Sequence, residues 1–152
     1  MSQLRPWICL AVIIACIALP AAAHNNDATG KNKQTVTAFY NLIFRDHKPA
    51  EAFARYGGDK YIQHNPNVPD GKDAVINFFT PFFQANPDAR SEIKRAVAEG
   101  DLVWLHVHSK KNATDRGRAI VDIFRVEKGK VVEHWDVVQD IPEKAANTNT
   151  MF

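Results

Sequence analysis

The feature that most constrains this chain is a change of hydrophobic period near Ser91. Before it, apolar residues recur with helical spacing; after it, they alternate with polar ones in four runs. Gln34 to Asp46 carries Val36, Phe39, Tyr40, Ile43 and Phe44, the i, i+3, i+4, i+7, i+8 stripe of an amphipathic helix. Pro49 opens a second, short helix with Phe53 and Ala54 inward, stopped by Gly57 and Gly58. A third helix sets Ala74, Val75, Phe78, Phe79 and Phe82 on one side, and Pro81 is expected to kink or end it. Tyr61 to His64 reads as a short extended piece. It ends near Asn65, because the residue before Pro66 avoids helical angles, and Asn65 to Gly71 is a loop. The alternating runs are Glu92 to Glu99, Leu102 to Lys110, Gly117 to Glu127 and Lys130 to Ile141. Helices first and a meander after them predict an α+β domain whose helices cover one face of an antiparallel sheet.

The start of the chain follows a different logic. Arg5 is the only charge before Asp27, Trp7 to Leu19 is unbroken apolar sequence, and Pro20 and Ala21, Ala22 and Ala23 follow. A positive head, an apolar stretch too short to span a bilayer and a small-residue cleavage site predict a secretory signal peptide over residues 1–23, cut before His24. A periplasmic or secreted protein is therefore expected. A lipobox-like Ile13, Ile14, Ala15, Cys16 is the weaker alternative. No basic stop-transfer cluster follows, so no stable membrane anchor is expected after cleavage. Both cysteines, Cys9 and Cys16, leave with the signal, which excludes a disulfide scaffold. Residues 24–32 read as a flexible leader, 33–141 as the domain and 142–152 as a tail. A formal charge of +2, from 19 basic and 17 acidic residues without a basic run, gives no support for nucleic-acid binding. No G-x-S-x-G, phosphate-binding glycine loop or dinucleotide fingerprint is present, which leaves hydrolase-triad and nucleotide readings without support.

Chemistry concentrates in the last hairpin. A three-residue loop, Glu127-Lys128-Gly129, pairs Val126 with Lys130 and puts even-numbered residues on one face. That face holds Ile120, Asp122, Phe124 and Val126, with Val132, His134, Asp136 and Val138 across from them; Asp122 faces His134 directly and Asp136 lies one diagonal step away. Two carboxylates and an imidazole among Ile, Phe and Val are costly unless paired, titrate away from their reference values, and so suit general acid/base chemistry. The inference depends on loop length, since a two-residue loop would split the cluster between faces. On the run from Leu102, Trp104, His106 and His108 alternate with Val103, Leu105 and Val107. If the Trp104 side lines the cavity, both histidines enter it, and His64, on the side of Ile62, offers another wall. Plainer readings stand beside these: Asp122 and His134 as a cross-strand pair, His106 and His108 as solvated strand ends, His64 as a loop brace, and the phenylalanine stripe as core. A metal site built from His106, His108 and a carboxylate ranks below acid/base chemistry, because no fixed motif such as His-Glu-x-x-His is present.

Three segments carry a resemblance: Tyr61-Ile62-Gln63-His64-Asn65-Pro66, Asp122-Ile123-Phe124-Arg125-Val126, and Gly129-Lys130-Val131-Val132-Glu133-His134-Trp135-Asp136-Val137. Together they resemble the SnoaL-like polyketide cyclase family of the nuclear transport factor 2-like superfamily, which also holds ketosteroid isomerases, scytalone dehydratase and limonene epoxide hydrolase. The resemblance runs from Lys33 to about Gln139. It implies a cone: a strongly curved antiparallel sheet wrapped around three N-terminal helices, with a deep apolar pocket at one end and a homodimer formed through the sheet. It also implies a strand aspartate acting as general acid/base in an aldol condensation, with no metal and no cofactor. Counted from Gly129-Lys130, that aspartate matches Asp136. The family's assisting histidine on the preceding strand falls at Asp122, so a carboxylate replaces an imidazole and the proton relay is rearranged or the reaction differs. Tyr40 matches a pocket tyrosine. The combined expectation is an exported, cofactor-independent cyclase, isomerase or lyase for a small apolar carbonyl compound. Asp136, Asp122, His134 and His108 would be catalytic, and Tyr40, His64, His106, Trp104, Phe79 and Phe124 would line the substrate site. The alternative is a non-catalytic module holding a small hydrophobic ligand in the same pocket.

Overall fold

The helical spacing of the first half becomes α1 (Ala21–Phe44), α2 (Pro49–Tyr56) and α3 (Lys72–Ala85) in the computed structural model, which describes the backbone of residues 21–152 and the side chains of residues 27–152. The expected signal peptide and its lipobox alternative lie outside the described residues, apart from the backbone of 21–23. The tract 24–32, expected as a flexible leader, is instead part of α1. No proline interrupts it, and Lys31 and Asp27 form an i,i+4 ion pair of 2.6 Å along its exposed side. α2 carries Pro49 in its first turn, where the missing N–H has no helical partner to lose. Pro81 does not end α3. It sits on the solvent side, and the helix continues to Ala85, where Asn86 donates both its backbone N–H and its Nδ2 to the Phe82 carbonyl ahead of Pro87. Among the described residues no helix is long and apolar enough to cross a membrane.

The strands are β1 (Gly57–Gln63), β2 (Arg90–Glu99), β3 (Leu102–Lys110), β4 (Arg118–Glu127) and β5 (Lys130–Asp140), in the order β1-β5-β4-β3-β2. β2 through β5 form the expected antiparallel meander. The sheet is mixed rather than wholly antiparallel, because β1 runs parallel to β5. β1 is separated from β5 by α3 and three other strands, so no hairpin dictates its direction. Gly57 and Gly58, expected only to stop α2, are the first residues of β1. A Cβ at Gly58 would come within 2.7 Å of Val132, so a side chain there would push the two strands apart.

Packing decides which face of the sheet is internal. Val36, Phe39, Tyr40 and Ile43 of α1 are at most 1% exposed, and Val103, Leu105 and Val107 of β3 are wholly buried. Phe39 meets Phe53 and Phe124 edge-on, at centroid distances of 5.0 and 5.9 Å. Each such side chain contributes roughly 1.5–3 kcal/mol by leaving water, so α1 holds the odd residues of β3 firmly inward.

Candidate active site

The hairpin that carries the acids differs from its expected form in two compensating ways. Glu127 pairs with Lys130, so the loop is only Lys128-Gly129, with φ of 50° and 75°. Positive φ at both positions is the type I′ turn favoured by two-residue hairpins. Taken alone, that loop would shift the register by one and split the cluster. A bulge at Val132 restores the parity: Val126 pairs with Val131, but Arg125 pairs with Glu133. Beyond the bulge Asp122 stands opposite Asp136, and His134 is opposite Phe124, diagonal to Asp122. The facing pair expected from the sequence is therefore exchanged, and the shared face is kept.

The hydrogen bonds assign most of the protons. The Asn65 backbone N–H donates to Gln63 Oε1 at 2.9 Å, which fixes that amide oxygen as an acceptor. His134 Nδ1, 2.8 Å from the same oxygen, must therefore carry a proton. His134 Nε2 lies 2.9 Å from Asp122 Oδ1, so the single proton in that contact belongs either to an imidazolium or to a carboxylic acid. Burial pushes the Asp122 carboxyl above its ordinary value of 3.8, and the His134 hydrogen bond and charge pull against it without reversing the direction. Among the described residues Asp122 Oδ2 is buried with no hydrogen-bond partner, a further cost to the ionised form. Asp122 and His134 thus share a buried proton. Asp136 is placed differently: Asn65 Nδ2 donates to its Oδ2 at 2.6 Å, and Asn65 is itself oriented by the Asn67 N–H on its Oδ1 at 2.8 Å. The Tyr40 phenol lies beside Ser91 and Asp122, and burial with the nearby Asp122 charge raises its pKa well above 10.0, so it remains a hydrogen donor.

These groups line a cavity of about 450 Å³, within the usual range for small-molecule sites. Tyr40, Phe79 and Phe124 form parts of its wall, with Phe82 and Phe83 of α3 beside them. The phenylalanine stripe is therefore both core and cavity lining. Asp122, His134 and Asp136 each offer one metal-ligating atom, all within 4.8 Å of one another. Both imidazole nitrogens are already engaged, however, so a cation there would have to displace Asp122 from His134.

Four expected site residues lie elsewhere. Trp104, His106 and His108 sit on the opposite face of β3, because Val103, Leu105 and Val107 take the inward positions. His106 contacts Arg95 at 3.0 Å, and His108 Nε2 donates to the Arg116 carbonyl and stacks on Phe152. The contemplated grouping of His106 and His108 with a cavity carboxylate is excluded by this geometry. His64 also points outward, stacked on Trp135 and bonded to Glu133 at 2.9 Å. Its neighbours Gln63 and Asn65 enter the cavity instead. The signal for them was parity: Tyr61, 6% exposed, sets the inward side of β1, whereas Ile62 is 37% exposed.

Comparison with known proteins agrees with this fold. Residues 36–134 match the family described as SnoaL-like domain. No curated protein sequence matches the chain. A ketosteroid isomerase candidate from Kribbella flavida superposes with a TM-score of 0.62 at 16% identity, covering 78% of this chain and 85% of that one. A polyketide cyclase candidate from Bacillus cereus gives 0.61 at 20% identity, covering 71% and 74%. A SnoaL-like protein of unknown function from Burkholderia thailandensis gives 0.60 at 17%, covering 72% and 95%. At these identities the likeness establishes the fold.

Proposed function

Because the chain belongs to the SnoaL-like domain family, within the nuclear transport factor 2-like superfamily, we propose that it is a cofactor-independent acid/base enzyme acting on a small, largely apolar carbonyl compound. The reaction is of cyclase, isomerase or lyase type. The observation that carries this reading is the unlike placement of two facing aspartates in one apolar cavity: Asp122 buried against His134, its carboxyl raised above the ordinary value by burial, and Asp136 held by an amide donor. Unlike surroundings for two carboxyl groups in one cavity let a site supply both an acid and a base.

In this mechanism Asp136 removes the proton next to the substrate carbonyl. Asn65 occupies its Oδ2, so Oδ1 takes the proton. The enolate oxygen that develops is met by a donor, either the Tyr40 hydroxyl or the proton shared by Asp122 and His134. Gln63 holds His134 by Nδ1 and keeps Nε2 directed at Asp122, so the relay returns a proton along a fixed line. The phenylalanines of α3 exclude water and accept an apolar body.

The test is exchange of α-hydrogens for deuterium in β-tetralone and related cyclic ketones, followed by proton NMR in heavy water. Wild-type protein accelerates exchange and Asp136→Asn loses the acceleration. A ketone that binds without exchange, with an affinity that Asp136→Asn leaves unchanged, identifies the non-catalytic binding module instead. Stoichiometric metal in the purified active protein would replace this mechanism with a metal-assisted one on Asp122, His134 and Asp136. The same proposal includes export by the N-terminal segment and a homodimer through the outer sheet face, where Val97 and Val137 are 62% and 67% exposed.

A further inference from the structure

One end of the cavity is chemically unlike the rest. Arg90 begins β2, Lys110 ends β3, Lys111 follows it, and Arg118 begins β4; all four line the cavity. Register sets them at one level of the sheet, Arg90 paired with Lys110 and Arg118 with Ser109. Their charges are only partly offset, by Asp115 near Lys110 and Lys111 and by Asp140 across the ladder from Arg118. The one acid among them, Asp115, spends its two oxygens on the backbone N–H groups of Gly117 and Lys111, at 2.9 and 2.8 Å. Lys110 donates to the Ala113 carbonyl at 3.3 Å, and the side chains of Arg90, Lys111 and Arg118 make no hydrogen bond or ion pair with the described residues. Elsewhere cations do find acids: Lys94 with Glu92 at 2.7 Å, Arg125 with Asp101 at 2.6 Å, Arg55 with Glu51 at 3.4 Å. A cavity whose interior takes an apolar body, and whose far end presents Arg118 and Lys111 with Arg90 and Lys110 at its rim and one hydrogen-bonded carboxylate beside them, is shaped for an amphipathic anion.

The geometry points to a substrate that carries an acid group, carboxylate, sulfonate or phosphate, remote from its reacting carbonyl. This deepens the proposed function and rests on it for the identity of the reacting end. Arg118, Ile120 and Asp122 share a face of β4, and the four residue steps from Arg118 to Asp122 span about 13 Å of strand. The acid group therefore sits on the order of 10 Å from the carbon that loses its proton. Arg118 and Lys111 are the specificity-determining residues, since they grip the end of the molecule that does not react. Binding at that remote end holds the α-carbon against Asp136.

The test compares two fluorescent probes that differ only by the charge: anilinonaphthalene sulfonate and its sulfonate-free counterpart, phenylnaphthylamine. At low salt the wild-type protein binds the sulfonate at least about tenfold more tightly than the neutral probe. The variant Arg118→Gln with Lys111→Gln brings that ratio to about one while leaving the affinity for the neutral probe unchanged. The control variant Lys94→Gln with Arg95→Gln removes two cations from the opposite sheet face and leaves the ratio as in wild type. Arg90→Gln, an exposed single change, lowers the ratio part way. A ratio of about one in the wild type, a ratio unmoved by Arg118→Gln with Lys111→Gln, or one that collapses equally in the outer-face control overturns the inference. Because the readout is binding, failure here leaves ketone exchange by Asp136 intact, and failure of exchange leaves the charge ratio intact.

Discussion

Two histidine–carboxylate pairs of equal length stand on opposite faces of β5, one reaching across to β4 and the other to the residue that follows β1. His134 meets Asp122 at 2.9 Å on the inner face, and His64 meets Glu133 at 2.9 Å on the outer one. Glu133 and His134 are chain neighbours, so the alternation of a strand sends one to each side. Their surroundings then diverge. On the inner face the side chains are 10% and 6% exposed, no further cation reaches Asp122, and burial lifts its carboxyl above the ordinary value. On the outer face His64 is 40% exposed, and burial of Glu133 is outweighed by hydrogen bonds from Arg125 and His64, which together hold it below its ordinary 4.5. Arg125 bonds Glu133 at 2.8 Å and Asp101 at 2.6 Å, making the outer pair part of a charged network. The same two functional groups share a buried proton in one place and form a surface ion pair in the other. Dielectric and the third partner set the role.

The largest separation between the two faces is expected in turnover. Asp136→Asn lowers ketone exchange by about 10²–10⁴-fold, the usual contribution of a general base, whereas Glu133→Gln, one turn of the alternation away, leaves it unchanged. Stability separates them next. His134→Ala removes a hydrogen-bond partner of a buried carboxyl and costs roughly 1–3 kcal/mol at neutral pH, read by denaturant unfolding. If His134→Ala instead unfolds no more easily than His64→Ala, the inner pair is not a buried, water-excluded unit.

How far this contrast could be seen beforehand depended on parity. The helices of the first half and the meander of the second were legible because each buries a continuous stripe with its own period. The inner face of the final hairpin was also legible, but through two errors that cancel. The loop is one residue shorter than Gly129 suggested, and the bulge at Val132 adds the residue back. A bulge leaves little trace in sequence; here the only trace is two consecutive valines, both buried. On β3 both Trp104-His106-His108 and Val103-Leu105-Val107 alternate, and desolvation favours the aliphatic set inward by several kcal/mol. On β1 Tyr61 marks the inward side, which carries Gln63 and Asn65 into the cavity and leaves His64 outside. The direction of β1 had no local signal, since its partner β5 lies at the far end of the chain.

A subtler contrast lies in the sign of the pH dependence. Asp122 holds its proton to higher pH when folded than when unfolded. From about 3.8 up to its raised value the native state therefore binds more protons, and stability falls as pH rises through that window. Asn at this position does not titrate, so Asp122→Asn gains on the wild type as pH rises above 3.8. Glu133 behaves oppositely: its stabilisation is present above its ordinary 4.5 and is lost as pH falls through its lowered value. Glu133→Gln therefore loses less stability than the wild type on acidification. Melting temperatures across an acid-to-neutral series give both slopes, and slopes of the same sign would remove the distinction between the pairs.

The smallest effect is expected at His64, and it is the most informative of the outer-face changes. His64 stacks on Trp135 at 4.7 Å with rings 5° from parallel, and bonds an exposed network, so His64→Ala costs about 0–1 kcal/mol. Half of that loss disappears at high salt, because the Glu133 contact is screened while the stacking is not. The loop that carries Gln63 and Asn65 stays in place, since it is tied to β5 by the His64 backbone N–H on the His134 carbonyl at 2.9 Å, a bond alanine keeps. Ketone exchange by the variant is accordingly unchanged. Were His64→Ala to slow exchange as much as Asp136→Asn does, the outer pair would be holding Asn65 against Asp136 through the strand, and the two faces would have to be read as one device.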